Sequence, residues 1–293
     1  MKDYLIKALV FDGKVRAYAT NTTILVNELQ KSHDTWPTVS AALGRTATVG
    51  AMMGAMLKGD ERVTIQMKSD GPIEQIVVDA NAKGEVRGYV NNPHVDLPLN
   101  SKGKLDVAGV VGDGYLYVIK DLGLKEPYRG SVPIVSGEIG EDFTYYFTYS
   151  EQTPSAVAVG VLVNPDHTIR AAGGFIIQVM PGLEEEQIAE LEETLSKLPT
   201  VSSMIDQGDS PEQILEKLFK NEFKVLERQE IQFKCNCSHE RIYQMLVSLG
   251  IEEIEDMIAK EENAEVVCHF CNTKYQYNKE DLHGIVQDLQ KEK

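Results

Sequence analysis

Cysteine is absent from the first 234 of the 293 residues, and the four present fall in the last fifth of the chain. A disulfide framework therefore cannot organise the bulk of the fold. No run of about eighteen uncharged apolar residues occurs, which argues against a membrane span. The start, Met1-Lys2-Asp3-Tyr4, leads into a strand-like segment without the layout of a signal peptide. With no export signal and cysteines that are paired rather than scattered, a reducing cytosol is the expected compartment. Positive charge is also scarce, at 29 Lys/Arg against 45 Asp/Glu. The imbalance is concentrated from Glu184 onward, where 12 Lys/Arg face 25 Asp/Glu. Such a segment repels phosphate backbones, which counts against a nucleic-acid module. No Ser/His/Asp or paired-carboxylate constellation emerges, so no catalytic role is expected. Gly109-Val110-Val111-Gly112-Asp113-Gly114 lacks the Lys-Ser/Thr of a phosphate loop and reads as a glycine turn between strands.

What is there reads as an α+β chain in three parts: a mixed sheet-and-helix domain over 1–180, an amphipathic helical linker over 181–232, and a small cysteine-bearing domain over 233–293. Leu5 to Val10 and Val15 to Thr20 flank Asp12-Gly13 and predict a hairpin. Thr38 to Leu57, dense in Ala, Gly and Met, predicts a buried central helix. Val63 to Met67, Ile73 to Asp79 and Val86 to Val90 predict an antiparallel meander. Glu138 to Thr148 has helical spacing, and Ala156 to Val163 with Ala171 to Val179 predicts a central hairpin. After Pro181-Gly182 the pattern changes to charged helices, with Ser210-Pro211-Glu212-Gln213 as an N-terminal cap. The helix that follows is expected to carry Ile214, Leu215, Leu218 and Phe219, then Phe223, Val225 and Leu226, on an apolar face that must rest on something. In the last part, Ser238 and Asn278 are expected helix caps, and Tyr275 and Tyr277 a returning strand.

The cysteines stand as Cys235-Asn236-Cys237 and Cys268-His269-Phe270-Cys271. Two close pairs about thirty residues apart suit a tetrahedral zinc site, because each short loop supplies two thiolates. His239 and His269 lie beside them and are read as surface residues, since four thiolates complete the set. A thioredoxin-type role for Cys268 and Cys271 is disfavoured, because such a pair opens a helix whereas Asn272-Thr273-Lys274-Tyr275 turns into a strand. Structural zinc holds roughly 10–16 kcal/mol of apparent folding free energy in small units, and a segment of about sixty residues is marginal without a staple. Were an oxidant to join the members of each pair, both new bonds would be local and neither would replace the lost long-range tie. The spacing alone predicts a reversible redox switch in which oxidation destabilises structure, although most metal-thiolate sites are merely structural.

With its acidic helical linker, Cys235-x-Cys237, Cys268-x-x-Cys271 and the trailing Tyr275-x-Tyr277, the chain resembles the redox-regulated 33 kDa chaperonin (heat-shock) family of bacteria. Val86-Arg87-Gly88-Tyr89, Glu141-Asp142-Phe143, Ser150-Glu151-Gln152-Thr153-Pro154 and Ala172-Gly173-Gly174 look like that family's core segments. Asn272 stands where the family often has Gly, and Asn also tolerates a left-handed turn. The resemblance implies a reduced, zinc-bound, largely inactive form in which the C-terminal segment covers the linker. It implies that peroxide with unfolding conditions, or hypochlorous acid, forms the redox-active disulfides Cys235–Cys237 and Cys268–Cys271, releases zinc and unfolds both linker and zinc domain. The active form is then expected to bind unfolding client proteins without ATP, usually as a homodimer, and to pass them to an ATP-dependent refolding chaperone. Ile214, Leu215, Leu218, Phe219, Phe223, Val225 and Leu226 are the expected client surface. A thiol-disulfide oxidoreductase and a zinc-ribbon nucleic-acid factor are the alternatives, separated by catalytic turnover and by steeply salt-dependent binding respectively.

Overall fold

In the computed structural model, residues 2–220, 222–260 and 263–291 are described. The first hairpin comprises β1 (Tyr4–Val10) and β2 (Val15–Asn21). Between them Asp12 and Gly13 both take positive φ, 53° and 89°, the conformation Asp and Gly tolerate best. Helices α1 (Thr23–His33) and α2 (Pro37–Ala55) follow, then the meander β3 (Arg62–Ser69), β4 (Gln75–Asn81) and β5 (Glu85–Val90). Next come α3 (Val107–Val111), β6 (Gly114–Asp121), β7 (Tyr128–Pro133), α4 (Gly140–Tyr149), β8 (Ser155–Val163) and β9 (Ile169–Val179). Beyond Gly182 lie α5 (Glu185–Lys197), α6 (Val201–Asp206), α7 (Pro211–Phe219), β10 (Phe223–Glu230) and β11 (Gln232–Phe233).

These elements make two sheets. The first is antiparallel in the order β10-β1-β2-β9-β8; the second runs β11-β5-β4-β3-β6-β7, with only β11 parallel to its neighbour. Helix α2 touches β8 and β9 of the first sheet and β3, β4 and β5 of the second, and is buried along nearly its whole length. Its small residues permit that approach: a Cβ at Gly50 would meet Val78 at 2.8 Å, and one at Gly54 would meet the Asn81 carbonyl at 2.7 Å. The other face of the first sheet is covered by α5, α6 and α7, which bury Leu191, Met204, Ile205, Ile214, Leu215 and Leu218 against it.

Three readings of the chain are corrected. The stretch at Gly109 is the end of α3, because Val107, Val110 and Val111 bury at helical spacing and the Asp106 carboxylate accepts from the Gly109 N–H. The β8–β9 hairpin forms as expected, yet β8 is an edge strand, not a central one. Phe223, Val225 and Leu226 do not extend the α7 helix. Lys220 takes φ 48° and ends it, after which Phe223 lies opposite Val10 and Val225 opposite Ala8 in β10. Leu226 falls where the register slips and has no partner on β1, so three residues that mimic a helical face belong to a bulged edge strand. The contact pattern also draws one boundary, dividing the chain into Met1–Lys234 and Cys235–Lys293, so residues 181–234 belong to the first unit.

The second unit contains α8 (His239–Leu249), α9 (Ile251–Lys260), β12 (Asn263–Val267), β13 (Lys274–Asn278) and α10 (Lys279–Lys291). Ser238 Oγ accepts from Arg241 N at 3.2 Å and Asn278 Oδ1 from Asp281 N at 3.0 Å, the expected caps. Its core is small: Ile242, Leu246, Ile254, Ala264, Tyr275, Tyr277, Leu282, Ile285 and Val286.

A buried acid at the start of the first unit gives a testable pH dependence. Asp3 is 4% exposed, and its carboxylate accepts from Leu25 N at 2.7 Å in the first turn of α1. Burial pushes its carboxyl up from 3.8 to about 6, against the opposing pull of backbone hydrogen bonds from Leu25 and Ile24. The fold therefore favours the protonated form, so Asp3 contributes most below pH about 4, and the contribution is lost as pH rises through about 6. Relative to wild type, Asp3→Asn should gain about 2 kcal/mol between pH 4 and 7, read by denaturant melts of Trp36 emission. A difference that does not change with pH would contradict this assignment.

Candidate metal centre

The site is built from two turns. In the first, Arg241 Nη1 donates to the Asn236 carbonyl at 2.9 Å and pins the loop between Cys235 and Cys237 just before α8. In the second, β12 and β13 pair antiparallel up to Val267 opposite Lys274, so the second cysteine pair occupies the hairpin's loop. Cys268 N donates to the Thr273 carbonyl at 3.0 Å, and Asn272 N to the Cys268 carbonyl at 2.8 Å. Asn272 takes φ 54°, the left-handed turn expected of it. Both turns thus point their sulfurs at one place.

The four Sγ atoms lie within 4.8 Å of one another, all half-buried. Cys235 Sγ is 3.6 Å from Cys268 Sγ, and Cys237 Sγ is 3.3 Å from Cys271 Sγ. No disulfide joins them. Thiolates bound tetrahedrally at about 2.3 Å sit about 3.8 Å apart, so this cluster fits a single metal ion. Cys237 and Cys268 also pack against the small apolar core, which links the site to the fold of its unit.

The sulfurs are not equivalent. Burial pushes the Cys235 thiol up to about 12, and burial raises Cys268 as well. At Cys271 burial acts in the same direction, but hydrogen bonds from the Thr273 hydroxyl, at 3.2 Å, and the Thr273 backbone outweigh it and bring the thiol to about 7. The Tyr275 hydroxyl, hydrogen-bonded to Cys237 and partly desolvated, has its pKa raised. Thr273 and Tyr275 were not singled out as sulfur partners by sequence; the available signal was a hydroxyl two residues after Cys271 and a tyrosine on the returning strand. His239 is exposed and stacks edge-on against Tyr275 with ring centroids 4.8 Å apart, and His269 is also exposed.

The residues expected to form a client surface divide into two groups. Ile214, Leu215, Leu218 and Phe219 are buried in α7 against the first sheet, and Phe223 joins the same cluster half-buried. Val225 and Leu226 are exposed on β10, at 41% and 55%. No described helix is long and apolar enough to cross a membrane.

Comparison with known proteins accounts for nearly the whole chain. The family model described as Hsp33 protein matches residues 3–278. The 33 kDa chaperonin of Geobacillus sp. (strain WCH70) is 59% identical over 289 residues, covering 98% of each chain. That of Bacillus cereus (strain AH187) is 57% identical over 291 residues, covering 99% of this chain and all of the relative. The crystal structure of the 33 kDa chaperonin (heat shock protein 33 homolog) from Thermotoga maritima superposes with a TM-score of 0.94 at 39% identity, over 99% of this chain and 100% of that one. Whole-length similarity at this level, together with the four converging sulfurs, shows that the chain belongs to the Hsp33 family.

Proposed function

We propose that this chaperone is an ATP-independent holdase of a reducing cytosol, switched on by oxidative stress through disulfide formation and zinc release. The observation that carries the reading is the four-sulfur cluster, which ties two turns about thirty residues apart in a unit with only a small apolar core. Cys235, Cys237, Cys268 and Cys271 would hold the ion, and their all-thiolate set suits zinc. When bound, the cation supplies the positive charge that makes four half-buried thiolates tolerable and closes the long loop.

Oxidation removes the donors. Each disulfide takes two electrons from a pair of thiolates, which lets the metal go, and the hydrogen peroxide that accepts them takes two protons from solvent and becomes two waters. The proposed pairing is Cys235–Cys237 and Cys268–Cys271. It leaves only local bridges, whereas a bridge between Cys235 and Cys268, whose sulfurs lie 3.6 Å apart, would keep the long loop closed. Loss of order in 235–293 then exposes Ile242, Leu246, Ile254, Leu282 and Ile285. Release of α5 to α7 and β10 adds Ile214, Leu215, Leu218, Phe219, Phe223, Val225 and Leu226 as a client surface. The acidity of this half keeps the opened, client-loaded form soluble. The active species is a homodimer that passes clients to an ATP-dependent refolding chaperone after reduction.

Light scattering of a thermally unfolding client tests this. The reduced, zinc-loaded protein should leave aggregation unchanged, and the peroxide-treated, zinc-free protein should suppress it at near-stoichiometric ratios. Disulfide mapping should find bridges within each pair. Failure of the oxidised form to suppress aggregation, or bridges across the pairs, would overturn the reading.

A further inference from the structure

The edge of β1 in the first sheet is occupied by a strand whose attachment is largely independent of its sequence. Strand β10 pairs with the whole length of β1, yet most of its side chains are exposed. Phe223 is half-buried beside Val10, and the Arg228 guanidinium lies 3.7 Å from the Tyr4 ring centroid. The ion pairs Lys7–Glu227 at 2.7 Å and Lys2–Glu230 at 3.2 Å are exposed on at least one side and contribute little. Leu226, in the bulge, pairs with nothing on β1. Gln229 Nε2 also donates to the Ala82 carbonyl at 2.7 Å, and the rest of the attachment is the main-chain ladder, whose N–H and C=O groups any extended segment can offer.

The two sides of this pair are unequal. Tyr4, Leu5, Ile6, Ala8 and Val10 of β1 are buried, and β2 holds that strand from the other side, so β1 stays in place if β10 leaves. Its edge would then present unpaired backbone groups beside an apolar sheet face. The strand is also close in sequence to the cysteine cluster. Ile231 N donates to the Asp3 carbonyl at 3.1 Å, Gln232 N to Gly84 at 2.9 Å and Lys234 N to Val86 at 3.0 Å, and Cys235 follows. At the opposite edge of this sheet, α4 supplies a side-chain partner to β8, where Val157 N donates to Thr144 Oγ1 at 3.1 Å.

We propose that displacement of β10 opens the edge of β1 to an extended segment of an unfolding client, which adds as an antiparallel strand in its place. The one side-chain preference is for an apolar residue opposite Val10, where Phe223 now packs half-buried. This rests on the client-holding function proposed above and adds the mode of capture.

Hydrogen exchange on the full-length protein tests it, with reduced, carboxymethylated α-lactalbumin as client. Strand alternation from Asp3, whose carbonyl accepts from Ile231, places the Leu5 and Lys7 amides on the β10 side. They should exchange slowly in the reduced form, at least about tenfold faster after oxidation, and slowly again with client bound. Amides that stay fast in the client complex, or stay slow in all three states, would overturn the proposal. Glu227→Pro removes an N–H aimed at β1 and should expose the same amides and bind client while zinc is retained. Exposed amides without client binding in that variant would also count against strand addition. If oxidised wild type fails to suppress aggregation, the chaperone reading itself falls; if it suppresses without protecting Leu5 and Lys7, only strand addition falls.

Discussion

Removing zinc from the reduced protein with a strong chelator unfolds residues 235–293 and leaves residues 2–180 folded. Among its described residues the second unit buries nine apolar side chains, a small core against the cost of ordering about sixty residues. A structural zinc site contributes roughly 10–16 kcal/mol of apparent folding free energy in units of this size. Its loss exceeds any stability such a core retains. Amide protection in α8, α9 and α10 should therefore collapse, while emission from Trp36, which lies in the first unit, should not change. A chelated second unit that keeps its protection would show that the apolar core suffices alone.

Truncating the buried face of α7 has the second large effect. Ile214 is 0% and Leu218 5% exposed against the first sheet. Each replacement by Ala leaves a cavity that costs about 2–5 kcal/mol, and the two share neighbours, so their effects do not simply add. The helix has Ser210 as a sound N-cap, with Oγ accepting from Gln213 N at 3.2 Å, so its hold on the sheet is weakened more than its own helicity. Ile214→Ala with Leu218→Ala should loosen α5 to α7 in the reduced protein and suppress client aggregation with zinc still bound. If exchange shows α7 detached, zinc retained and no suppression, this face is not a client surface.

The site was legible because its information is local. Two short cysteine spacings, a left-handed Asn272 and caps at Ser238 and Asn278 are each written in a few adjacent residues. Helix α2 was legible for a related reason: Gly44, Gly50 and Gly54 announce close approach wherever the neighbours come from. Sheet order was not legible, since pairing β1 with β10 depends on contacts between residues more than two hundred positions apart. The same distance explains the misread end of α7. Phe223, Val225 and Leu226 satisfy a helical period and an alternating one almost equally, and the neighbouring Val10 and Ala8, absent from any local window, decide between them. Thr273 and Tyr275 escaped notice because a hydroxyl's partner is set by the turn of the chain, not by its spacing alone.

The account depends on the sulfur cluster being the only tie that keeps 235–293 ordered. Its most direct test is a peroxide titration of the full-length protein, with released zinc, disulfide content and exchange at Ile254, Ala264, Leu282 and Ile285 followed together. Protection at these four amides should be lost in proportion to the metal set free, as Cys235–Cys237 and Cys268–Cys271 form. Four amides still protected in protein that has lost its zinc and carries both bridges would contradict the account.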